Sequence, residues 1–209
     1  TVAGAGMLWV GWFGFNGGSA LAANGDAGMA ILVTHISAAA GSLAWMAVEW
    51  IKFGKPSVLG IVTGMVAGLG TITPASGFVG PGGALVIGLI AGVVCFFATQ
   101  TIKLKLRIDD SLDVFPVHGV GGILGTLLAA FFASDQLGVF SGQGYNEGMA
   151  MGSQFGVQAI GVISTLVYTA IVTFVILKVV GLLTPLRVSQ EEETQGLDLT
   201  QHNESGYNH

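Results

Sequence analysis

The residue in this sequence best placed for chemistry is His118, in "DVFPVHGVGG" at 113–122. It heads an apolar run in which no charge appears between Asp113 and Asp135. A neutral imidazole offers one donor and one acceptor, which suits relaying a proton or holding a small polar solute. Counted from a helix start near Ser111, His118 lies about 10 Å inside a hydrocarbon core about 30 Å thick. Ionisable groups at that depth usually face a bundle interior or a pathway. The alternative is a structural histidine bonded to a backbone carbonyl. Asp113 reads as a helix-start or loop-pairing carboxylate.

A second group lies in "WVGWFGFNGGSA" at 9–20. Trp12, Phe15 and Ser19 stand at i, i+3 and i+7, one stripe of a helix. A hydroxyl above aromatic faces can attract a small cation by cation–π contact; the other reading is an interfacial aromatic belt. His35 reads as a satisfied packing histidine. Lys178 lies near a span end, where snorkelling accounts for it. No nucleophile with a base is visible, and "TPASGF" and "NGGSA" lack G-x-S-x-G spacing.

The elements that must position these residues follow from composition. The 209 residues are 52% hydrophobic and 9% charged, with mean hydropathy +0.74. Soluble domains carry about 25% charged residues, so the expected class is an all-α membrane protein. Six apolar runs approach the roughly twenty residues a bilayer requires: 3–24, 27–50, 57–75, 83–102, 112–133 and 150–180. They define a transmembrane helical domain over 1–187. A polar tail, 188–209, carries the acidic excess in Glu191, Glu192, Glu193, Asp198 and Glu204. The tail reads either as a docking segment or as disorder. Glycines at four-residue spacing (60, 64, 68; 88, 92; 121, 125; 148, 152, 156) let helix backbones touch. All seven basic residues fall in the second and fourth connections, at the inner end of the last run (Lys178) or after it (Arg187). The positive-inside rule then puts both ends of the chain in the cytoplasm. No basic patch favours nucleic acid, and lone Cys95 has no disulfide partner within the chain. The chain begins at Thr1, inside an apolar helix, and is expected to be a piece of a longer protein.

The stretches "GWFGFNGGSA" (11–20), "GKPS" (54–57), "TPASGFVGPGGAL" (73–85), "RIDDSLDVFPVHGVGGILG" (107–125) and the tail "LRVSQEEETQGLD" resemble the second half of the ammonium transporter (Amt/Mep/Rh) family, nearest its bacterial Amt branch. The resemblance covers nearly the whole chain. It implies eleven helices, of which these six are the second inverted repeat plus a final long helix. It also implies a homotrimer in the cell (inner) membrane, one pore per subunit, ammonium or methylammonium as substrate, and no cofactor. By position, Phe15 matches a gating phenylalanine and Ser19 the hydroxyl of an ammonium-binding vestibule. His118 matches one of two pore histidines, with a proton-relay role, and Trp12 a tryptophan beside the pore. His35 matches nothing in the family pattern. The tail, with Gly196, Asp198 and Tyr207, would take part in regulation by a cytoplasmic PII-type signal protein. The competing readings are another small-solute channel or a membrane sensor with a pore-lining histidine.

Overall fold

The computed structural model describes residues 1–206. Among them the regular structure is helical throughout, with no strand. The chain divides into two compact units, Thr1–Val162 and Ile163–His209.

In the first unit α1 (Val2–Gly18), α2 (Gly25–Phe53), α3 (Val58–Ile72), α4 (Pro81–Gln100) and α5 (Gly121–Phe132) follow one another. A wide π-wound turn, Thr101–Lys105, prolongs α4, and another, Phe115–Val120, leads into α5. The long helix α6, Met151–Gly181, begins in this unit. These helices coincide with the six apolar runs, with shifted ends. The first closes at Gly18 instead of 24, because Leu21 adopts φ 57° and Asn24 opens the next helix by accepting from the amides of Asp26 and Ala27. The fifth starts about three residues later than expected, after an irregular 106–113 in which Arg107 and Asp113 have positive φ. Four stretches are long and apolar enough to cross a bilayer by themselves: Gly25–Phe53, Pro81–Lys105, Phe115–Phe132 and Met151–Gly181. With 17 and 15 residues, α1 and α3 are shorter.

The core is a seam of glycines. A β-carbon on Gly41 would meet Gly64 O, one on Gly64 would meet Trp45, and one on Gly68 would meet Ser37 O. Positions rising along α2 thus face positions falling along α3, so the two run antiparallel. On α4, Gly88 faces Ser37 and Gly92 faces Gly41 and Ala44, so α4 runs parallel to α2. Between lipid-soluble helices, burial gives little net drive; close packing and interhelical hydrogen bonds do the work. Ser37 Oγ supplies one such bond, donating to Gly68 O at 2.9 Å. The row 148, 152, 156 behaves differently: a β-carbon at any of these meets nothing within 4 Å. Four-residue spacing there marks no contact among the described residues.

The same topology gathers Lys52, Lys55, Lys103, Lys105 and Arg107 at one end of the bundle. At that end the Glu49 carboxylate accepts from Ser57 N at 2.7 Å and from Trp45 Nε1 at 3.2 Å. Ser57 Oγ in turn caps α3 by accepting from Gly60 N.

In the second unit, α7 (Gln190–Gln195) and α8 (Leu197–His202) order a segment whose sequence left disorder open. Ser189 and Glu192 form a reciprocal capping box at the start of α7. Hydrogen bonds from Ser189 hold the Glu192 carboxyl below its ordinary pKa, and the Arg187 guanidinium does the same for Glu193. Gly196 joins the two helices at φ 101°, a conformation open mainly to glycine. Lys178 Nζ lies 5.4 Å from the Phe174 ring centroid, its charge against an aromatic face rather than a carboxylate.

Candidate functional site

Helix α1 presents two flanks. One carries Gly4, Met7, Leu8, Gly11, Trp12 and Phe15, which line an open apolar groove of about 550 Å³. Glycine at 4 and 11 leaves this space unfilled, since a β-carbon at either would have no neighbour within 4 Å. The orientation of α1 is fixed by a buried polar pair: Asn16 Nδ2 donates to Thr34 Oγ1 at 2.8 Å, and Thr34 donates onward to Ala30 O.

The structure brings three of the predicted residues together. The Trp12 indole stacks on the His118 imidazole, with ring centres 6.4 Å apart and planes 13° apart. Phe15 meets Trp12 edge-on at 6.1 Å. Trp12 Nε1 donates to Thr73 Oγ1 at 2.7 Å, which locks the indole plane and leaves its face to the histidine. His118 itself is exposed in the described chain, at the edge of this aromatic wall. It lies about four residues, or about 6 Å, into its helix, shallower than a start at Ser111 implies. The helix carrying it is capped by Asp110, whose carboxylate accepts from Val114 N and Phe115 N at 2.9 and 2.8 Å. Asp113 pairs with Lys103 at 2.8 Å, the loop-pairing role read from its position.

Ser19 stands at the C-terminal end of α1, exposed, with its hydroxyl donating to Phe15 O at 2.7 Å. The lone pairs on that oxygen remain available to a donor. His35 departs from expectation. It is exposed on α2, against the rings of Trp9 at 5.1 Å and Phe13 at 5.8 Å, on the opposite flank of α1 from the groove. Position 35 falls on the outer face of α2, and among the described residues the rings of α1 cover it in part. Gly196 and Asp198 lie at the start of α8; Tyr207 lies outside the described residues. Among the described residues no group of His, Cys, Asp and Glu could hold a metal ion.

Sequence reasoning missed Thr73, Asp110 and the Asn16–Thr34 pair. Asp110 carried a signal, an acidic residue just ahead of an apolar helix. Thr73 and Asn16 carried none, because each acts through a partner distant in the chain. An apolar groove with a stacked indole and imidazole can hold a small polar solute by hydrogen bonding, and can attract a small cation through its aromatic faces.

The model of the Ammonium Transporter Family matches residues 1–207. Ammonium transporter Amt1 of Archaeoglobus fulgidus is 47% identical over 207 residues, covering 99% of this chain and 51% of that protein. An ammonium transporter of Bacillus subtilis is 45% identical, with the same shares. Among solved structures, a Sensor Amt Protein superposes with a TM-score of 0.86 at 34% identity, over 96% of this chain and 48% of the other. Saccharomyces cerevisiae Mep2 gives 0.77 at 38% identity, over 88% and 44%. The chain thus spans about half the length of the curated relatives it matches. With the family model matching residues 1–207 and relatives 45–47% identical over 99% of its length, the chain belongs to the ammonium transporter family.

Proposed function

We propose that this chain forms half of the pore of a protein that moves ammonium across a membrane. The observation that carries the reading is the apolar groove bordered by the Trp12–His118 stack and Phe15. Carrying NH4+ bare through hydrocarbon is costly. Recruiting it near Ser19, where a hydroxyl lies above aromatic rings, and removing one proton leaves NH3, which an apolar groove passes. His118 then hydrogen-bonds NH3 and takes part in relaying the proton, with a second imidazole supplied by the other half of the pore. K+ is rejected because it has no proton to give up. Phe15 acts as a gate, and Trp12 orients the imidazole.

The six apolar helices act as six crossings, the second inverted repeat and a final long helix. The basic end of the bundle faces the cytoplasm, together with both chain ends. The full protein assembles as a homotrimer in the cell membrane, among lipid. Its tail, through α7, α8 and Gly196, contributes to the surface on which a PII-type signal protein docks. The ordered capping box supports a defined tail surface over a disordered one.

The test is a liposome assay on the full-length protein, recording currents elicited by ammonium and by methylammonium. The wild type carries current and excludes K+. His118→Ala lowers it about tenfold, the equivalent of one lost hydrogen bond of about 1.4 kcal/mol. Unchanged current and selectivity would make His118 structural. Removing residues 190–209 weakens inhibition by a PII-type protein; intact inhibition would remove the tail from the docking surface.

A further inference from the structure

The loop between α4 and α5 is built unlike the others. Each of its ends is a π-wound turn, Thr101–Lys105 on one side and Phe115–Val120 on the other. Such turns are well under 1% of residues in ordinary proteins, and they concentrate at functional sites. Between them Arg107 and Asp113 adopt φ 55° and 57°, conformations that a β-carbon disfavours. Something must hold this geometry in place, and one contact spans the two turns. Lys103, in the first, places Nζ 2.8 Å from Oδ1 of Asp113, two residues ahead of the second. That oxygen is sealed from solvent and has no hydrogen bond of its own, so the ammonium is its compensation. The two side chains are 34% and 19% exposed, so the pair is only partly buried, but within it Oδ1 is shut away from water and has Lys103 as its partner.

His118 lies within the second turn, five residues past Asp113. A π turn holds one residue more than the α-turn it replaces, so relaxing it would rotate the rest of the helix by roughly 100°. Asp110 fixes where the helix begins, through the amides of Val114 and Phe115. It does not fix the winding after them.

We propose that Lys103 and Asp113 are positioning residues for His118. Their ion pair keeps both wide turns in register and so keeps the imidazole stacked on Trp12. Neither side chain touches the transported species. The inference rests on reading His118 as a pore residue, but the clasp can be tested apart from transport.

In the full-length protein, Lys103→Met and Asp113→Asn are compared with the exchanged pair Lys103→Asp/Asp113→Lys. Hydrogen exchange is followed at the amides of residues 114–121, with residues 58–72 as internal control, and ammonium current is recorded in liposomes. Each single variant should exchange about tenfold faster at 114–121 alone. It should also lose about tenfold in maximal current, since a small displacement at a site is costly. The exchanged pair should recover at least half of both losses. Should a single variant fail to fold, Lys103→Arg keeps the charge and should retain slow exchange at 114–121; fast exchange there would overturn the proposal. Unchanged exchange in the single variants, no recovery in the exchanged pair, or fast exchange with full current would each overturn it as well. A wild type that carries no ammonium current, with exchange behaving as stated, would overturn the transport reading and leave the clasp standing.

Discussion

The seam of α2, α3 and α4 and the wall made by α1 with the start of α5 are built on opposite plans. In the seam, glycine is used to remove side chains, so that backbone meets backbone at Gly41, Gly64, Gly68, Gly88 and Gly92. In the wall, Gly4 and Gly11 open space that no other part of the described chain enters, and large aromatic side chains border it. The same residue type closes one region and opens the other. The difference shows where stability and chemistry reside. A tightly interlocked three-helix platform tolerates no added atom, and it carries a more open surface on which Trp12, Phe15 and His118 can act.

The contrast breaks most sharply at Gly41. In the full-length protein, Gly41→Leu drives a side chain into the backbone of α3, and overpacking of this kind costs about 3 kcal/mol. Gly152→Leu adds the same atoms where no described residue lies within 4 Å, and should cost less than Gly41→Leu. Thermal unfolding followed by size-exclusion chromatography separates the two; equal losses would erase the distinction. A smaller effect comes from the joint between platform and wall. Thr73→Val removes the acceptor of the Trp12 indole and costs about 1 kcal/mol. It should lower ammonium current more than it lowers melting, because the freed indole no longer holds His118.

Smaller again is Ser189→Ala, which removes the capping box of α7 at about 0.5 kcal/mol of local helix stability. Amide exchange over residues 190–195 should rise while the seam stays protected. The smallest effect is one of pH. Glu192 and Glu193 have carboxyl pKa values lowered in the folded chain. Their contribution is therefore complete above the unfolded glutamate value of about 4.3 and is lost as pH falls through the lowered folded values. Protection factors of tail amides, taken relative to intrinsic exchange at each pH, should fall as the solution is acidified below that range, with those of platform amides unchanged.

Composition and apolar run length made the helical membrane class legible, because crossing a bilayer imposes length and hydropathy directly. His118 was legible as an ionisable group in an apolar run, and Trp12 and Phe15 because they share one helical stripe with Ser19. The contacts that join them were not. The Trp12–Thr73 bond links residues 61 apart, and nothing at Thr73 announces it. Helix ends shifted at 19–24 and 106–113, where Leu21, Arg107 and Asp113 take left-handed conformations that their residue types do not announce. His35 shows the limit of stripe reasoning, since a helical period gives a face but not which face is covered. At 148, 152 and 156 the glycine pattern recurs with no neighbour among the described residues.

The buried Asn16–Thr34 bond makes α1 sensitive to insertion in a way its length would not suggest. It pins one angular position near the end of the helix, while Trp12 lies one turn away from that pin. One residue inserted between them would swing Trp12 by about 100° about the axis without altering the pinned end. The helix would still fit against its neighbour, and the aromatic wall would lose its histidine partner. Over evolutionary time this segment should accept exchanges of side chain far more readily than changes in spacing.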